Sequence, residues 1–164
     1  MGWTDLITAG VAVSGAIIAI LGAIFTWSNN RRAQYERVLA ETAKLTAGPT
    51  AKSRHVVGPI FQDRPEGVVP LSYRQAAAFF DVLWAFERLY ALFVSLNPII
   101  RRGRLTRPQV LLLLTSRGAI KTWINYSKRV DRSIREHASS DGLIRLNSSL
   151  EQLEQQPASR RSQN

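Results

Sequence analysis

The sequence contains no cysteine, so it forms no disulfide and offers no thiolate to a metal, which fits a reducing compartment. Its two histidines, His55 and His137, belong to different segments, so there is no histidine-rich metal cluster. A glycine-rich phosphate loop and a Gly-x-Ser-x-Gly nucleophile elbow are both missing. Asp81 and Glu87 do not share a helix face, so they form no carboxylate pair for acid–base work without another element's help. These absences argue against an enzyme, and no cofactor or metal is expected. A further absence is positional. No lysine or arginine precedes residue 31.

What fills that uncharged beginning is an apolar run, Leu6 to Trp27, followed at once by Asn29, Asn30, Arg31 and Arg32. As a helix it would be roughly 33 Å long, enough to cross a bilayer's hydrocarbon core. A cleaved signal peptide would begin with positive charge and end at small residues. Here Asp5 is the only side-chain charge before the run, and bulky Ile24, Phe25 and Trp27 stand where cleavage would fall. The reading is an uncleaved anchor. Arg31, Arg32 and Arg37 on one side, with no basic residue on the other, place the N-terminus outside and residues 31–164 in the cytoplasm.

Thr8, Ala12, Gly15, Ala19, Gly22 and Thr26 alternate by four and three residues, setting six small side chains on one seam of this span. Small residues let helix backbones approach closely in lipid, so the seam suggests a homo-oligomer. Eleven residues of the run are Gly, Ala, Ser or Thr, and composition alone could produce such a seam.

Beyond the span the helical period continues through Tyr35, Val38, Leu39, Thr42 and Leu45, predicting one helix over about 5–47 that Gly48-Pro49 ends. Residues 48–70, with four prolines and three glycines, read as a linker. Ser72 with Gln75 forms a capping box for a helix that Asn97-Pro98 closes. Its apolar content suggests a second span, but Asp81, Glu87 and Arg88 lie inside it, so it reads as the central helix of a bundle. Arg74, Asp81 and Arg88, seven residues apart, would form a narrow polar stripe on an otherwise buried element. Thr106, Pro108 and Gln109 open a third helix reaching about Ser116 near Gly118. A fourth over about 119–138 carries Ile120, Trp123, Tyr126, Val130 and Ile134 on one side, and a fifth is marked by Leu143, Leu146, Leu150 and Leu153.

The expected fold is all-α: a transmembrane helix continuing into a cytoplasmic one, then a small bundle of about four helices. The divisions are an anchor over 1–30 (span about 6–27), a juxtamembrane helix and linker over 31–70, a basic helical domain over 71–155 and a disordered tail over 156–164.

All 22 basic residues and 11 of the 12 acids lie after residue 30, a net +11 for that part. Such an excess suits a negative partner, either anionic lipid headgroups or nucleic acid. The charge concentrates in Arg101, Arg102, Arg104, Arg107, Arg117, Lys121, Lys128, Arg129, Arg132 and Arg135, against Asp131 alone. On one continuous helix, Arg117, Lys121, Lys128, Arg132 and Arg135 would fall within an arc of about 60°. A solvated surface, lipid contact and nucleic-acid binding all fit this face. The last lacks a helix-turn-helix pattern, an aromatic RNA-binding motif or an Arg/Gly tract. Glu87 and Arg88 suggest a buried charge network with a partner such as Arg117 or Lys121.

Phe86-Glu87-Arg88, Arg102-Gly103-Arg104-Leu105 and Ile120-Lys121-Thr122-Trp123 together resemble a group of small bacterial and phage-associated proteins of unknown function. Those proteins pair one N-terminal span with a helical cytoplasmic domain. The resemblance covers about residues 75–135 and implies the architecture alone. This chain has a longer stretch between the Phe-Glu helix and the Arg-x-Gly corner. The expectation for function is therefore a single-pass anchor, adaptor or regulatory subunit with an unidentified protein partner. A membrane-tethered nucleic-acid binder and a phage-type pore or lysis-accessory protein are the alternatives.

Overall fold

The computed structural model describes residues 3–64, 66–97, 105–137 and 140–156, with side chains from residue 18 onward except that of residue 137. Six helices account for nearly all of it: α1 (Trp3–Lys44), α2 (Gly48–Asp63), α3 (Tyr73–Ser95), α4 (Arg107–Arg129), α5 (Arg132–His137) and α6 (Asp141–Gln155). The all-α expectation holds, and the only β-pairing among the described residues is an isolated parallel bridge between Val69 and Val130. The chain divides between Glu36 and Arg37 into two compact units.

In the first unit, residues 18–30 of α1 are exposed, including Ile18, Ile20, Leu21, Ile24, Phe25 and Trp27. Among the described residues no helix is long and apolar enough to cross a membrane. The run Leu6–Trp27 lies through residue 17 outside the described side chains, and so do Thr8, Ala12 and Gly15 of the seam. The expected tail falls, from residue 157 on, outside the described residues too.

The second unit is a helical bundle. Helix α3 is its central member, with α2 and α6 packed on it and α4 packed on α6. Capping residues set the starts of α3 and α4. The Ser72 amide donates to Gln75 Oε1 at 2.8 Å, and the Thr106 amide to Gln109 Oε1 at 2.9 Å, each closing a capping box. The Gln109 side-chain amide also donates to the Phe93 carbonyl at 2.8 Å, tying the start of α4 to the end of α3 while satisfying a buried polar group. Phe79, Phe86 and Leu89 of α3, Leu112, Leu113, Ile120 and Trp123 of α4, and Leu143, Leu146 and Leu150 of α6 are fully buried. Each such side chain contributes about 1.5–3 kcal/mol through removal from water.

Three expectations are corrected. Residues 48–63 are a helix, not a linker. Gly48 takes φ +70°, turning the backbone at the start of α2, and Pro49 occupies the first turn of that helix, where a missing amide hydrogen costs nothing. Thr50, Val57 and Phe61 on one face of α2 are buried, and that burial outweighs the poor helix propensity of Gly58 and Pro59. The helices expected over 106–116 and 119–138 are one helix, α4, in which Gly118 is an exposed interior residue. Val130 then adopts extended backbone, so Arg132 and Arg135 belong to α5. Last, the outer face of α3 is wider than a polar stripe, with Trp84 67 % exposed and Tyr73 93 % exposed.

Candidate functional surfaces

The basic residues do not form the continuous helical arc that their spacing suggested. Arg117 and Lys121 of α4 converge on Glu154 of α6. The Arg117 Nε lies 2.7 Å from Oε1, and the Lys121 ammonium lies 2.9 Å from both carboxylate oxygens. The hydrogen bond from Lys121, joined by the charge of Arg117, holds the Glu154 carboxyl below its ordinary value. Arg132 pairs with Glu136 on α5 at 2.7 Å, and Arg135 donates to the Val130 carbonyl at 3.0 Å. Arg107 and Lys128 are exposed at opposite ends of α4. Arg101, Arg102 and Arg104 lie outside the described residues.

Arg129 turns inward. Its guanidinium stands 5.5 Å from the Phe61 ring centroid and donates to the carbonyls of Phe61 (3.3 Å) and Gly67 (3.5 Å). It therefore fastens the end of α2 and the following loop to α4.

Neither Arg117 nor Lys121 forms the expected partner of Glu87. The Glu87 carboxylate accepts a hydrogen bond from the Gly142 amide at 2.7 Å, at the first turn of α6. Ser140 provides no side-chain cap there, so a residue 55 positions away in sequence takes that role. A negative charge at a helix N-terminus also complements the helix dipole. Asp81 accepts from the Ser53 hydroxyl of α2 at 3.1 Å. The two carboxylates thus serve different neighbours.

On α1, Ala19, Gly22 and Thr26 of the seam are exposed, and the Thr26 hydroxyl donates to the Gly22 carbonyl at 2.8 Å. That bond satisfies the hydroxyl within its own helix, which is how threonine is accommodated away from water. Arg31 stands 5.3 Å from the Trp27 ring centroid and 6.0 Å from that of Tyr35.

A groove between α2 and α4, of about 640 Å³, escaped sequence reasoning altogether. Arg54, His55, Gln62 and Thr122 supply polar groups, and Trp123 and Tyr126 supply aromatic surface. The Tyr126 ring stacks on Phe61 at 4.3 Å and meets Trp123 edge-on at 5.4 Å, which fixes both rings. Arg54 donates to the Leu45 carbonyl at 2.7 Å, closing the end of α1. Gly58 and Pro59 line the same groove, and Pro59 has no amide hydrogen to offer the His55 carbonyl one turn earlier. Reading 48–70 as a linker hid this groove, because six of its ten lining residues come from α2. The Gly-Pro pair was the one available signal.

Among the described residues no group of three or more His, Asp or Glu side chains could hold a metal ion. Comparison with protein-family models, with curated proteins and with solved structures finds no match to this chain.

Proposed function

We propose that this is a single-pass membrane-anchored protein acting by interaction, an anchor, adaptor or regulatory subunit whose helical cytoplasmic unit is drawn to anionic lipid headgroups. The observation that carries the reading is the exposure of α1 over residues 18–30. Ile18, Ile20, Leu21, Ile24, Phe25 and Trp27, each at least 56 % exposed, cover one half of the helix, and the small residues Ala19, Gly22, Ala23 and Thr26 cover the other, so no charge falls on any side. A helix apolar on all sides needs lipid or another protein around it. In the sequence the charge-free run begins at Leu6, and 22 residues as a helix would be roughly 33 Å long. Arg31 over Trp27 supports an interfacial position for this end, since tryptophan and a cation suit the headgroup layer.

The basic balance of the remaining chain supports attraction to anionic headgroups, each exposed cation near the surface adding about 1 kcal/mol. Arg64, Arg74 and Lys128 are exposed. Alkaline carbonate washing of membranes from cells expressing the full chain tests the anchor, with retention in the pellet expected and release overturning it. Protease added to intact cells should spare the part after residue 31, and its digestion would reverse the topology. The full chain in detergent, titrated with anionic micelles and with RNA at rising salt, should bind the former; preference for RNA would favour a tethered nucleic-acid binder.

A further inference from the structure

The outer face of α3 has the pattern of a surface made to meet itself. Trp84 is 67 % exposed at its centre and Tyr73 is 93 % exposed on the same face, whereas Phe61, Phe79 and Trp123 pack on one another in the core. Ala77 and Ala91, both exposed, stand seven residues before and after it, and Tyr73 and Ser95 eleven residues before and after. Asp81 and Arg88 stand three residues before and four after, both exposed on the same flank of the tryptophan stripe. The Ser53 hydroxyl holds Asp81 on that flank from α2.

We propose that this face is the contact between two copies of the chain, paired antiparallel about a two-fold axis beside Trp84. Such an axis sets Trp84 on the partner's Trp84 and Ala77 opposite the partner's Ala91, so that small residues let the helices close around the aromatic pair. It keeps the charged flank of each helix on the same side. Asp81 then lies about 1.5 Å along the axis from the level of the partner's Arg88, and the symmetry makes that pair twice. A parallel arrangement would put the charged flanks of the two helices on opposite sides of the seam, leaving neither Asp81 a cation from the other copy. An anionic lipid surface would bring Asp81 against like charge at the flank of the face, whereas a second copy supplies its counter-ion. The inference goes beyond the anchoring role and uses no residue of α1.

The full chain in detergent, followed by light scattering across a concentration series, is expected to dimerise. Asp81→Arg and Arg88→Asp should each weaken dimerisation by roughly tenfold, equivalent to about 1.4 kcal/mol. The double reversal should restore it, a rescue that a folding defect would not give. Because the chain has no cysteine, single substitutions report geometry directly. Ala77→Cys mixed with Ala91→Cys should cross-link with a short bis-maleimide. Ala77→Cys alone should not, since its two copies would lie about 21 Å apart along the helices. Cross-linking of Ala77→Cys with itself, failure of the double reversal to rescue, or a monomer throughout would each overturn the proposal. Dimerisation indifferent to all these charge changes would place association elsewhere, through α1, and overturn it equally.

Discussion

The Glu87 carboxylate occupies the space where a side chain at position 142 would begin: a β-carbon built on Gly142 would stand 2.7 Å from Glu87 Oε2, while the Gly142 amide donates to Oε1 at 2.7 Å. Glycine is needed here for the close approach of a carboxylate from α3 to the first turn of α6, not for an unusual backbone angle. Since Ser140 does not cap α6, this bond supplies the missing partner at the helix start, and Arg145 adds a longer one to the Tyr90 hydroxyl at 3.4 Å.

Glu87→Ala should therefore cost about 1–2 kcal/mol, the range of losing a helix cap or a charge-assisted bond. Gly142→Ala in the wild-type background should also destabilise, because Glu87 must move and surrender the bond. In the Glu87→Ala background the same change should stabilise by about 0.5–1 kcal/mol, since alanine is the better helix residue once the carboxylate is gone. A double-mutant cycle in chemical denaturation reads this reversal of sign, and additive effects would contradict the coupling.

Why the sequence disclosed some of this and not the rest follows from the range of each signal. The capping boxes at Ser72 and Thr106 and the leucines at 143, 146, 150 and 153 are local patterns, and the structure places them as their spacing implied. Residues 48–63 misled because Gly48, Pro49, Gly58 and Pro59 are turn signals in isolation, and their helical state depends on burying Val57 and Phe61 in the bundle. The partners of Glu87 and Glu154 are long-range, and no periodicity within a helix encodes them. The split of the basic arc had a local cause, the extended backbone at Val130 where it bridges Val69, but its partner lies in a distant loop.

Glu154 gives the bundle a pH-dependent link. Its carboxyl titrates below the ordinary glutamate value because Lys121 and Arg117 favour the charged form, so the folded state binds that proton less readily than the unfolded one. The resulting stabilisation is present above the ordinary glutamate pKa and fades as pH falls through the depressed folded value. Glu154→Gln should remove this component of acid sensitivity and lower stability at neutral pH. Thermal unfolding of both proteins between neutral and acidic pH checks the sign, since the two melting temperatures should converge in acid.

Arg129 should matter more than the exposed cations near it. Substitution by methionine keeps much of the stem but removes the donors to Phe61 and Gly67 and the charge over the Phe61 ring. A loss of about 1–3 kcal/mol is expected. Hydrogen exchange should accelerate at the Val69 amide, which donates to the Arg129 carbonyl at 2.8 Å. Lys128→Met, on an exposed side chain of the same helix, should change neither quantity by a measurable amount.

Gly118 and Gly58 test the helical assignments that overturned the local signals. A β-carbon at either position would meet nothing within 4 Å, and both residues lie inside helices with ordinary negative backbone angles. Alanine at each should reduce the entropy lost on folding without any steric penalty, stabilising the chain by about 0.5–1 kcal/mol. The gain at Gly118 reports that α4 is continuous through residue 118; a break there would make alanine neutral or costly. At Gly58 the same gain would show that α2 persists through the groove despite Pro59. Circular dichroism of the thermal transition in the full chain measures both, and destabilisation at position 58 would return residues 48–63 to the linker that their composition suggests.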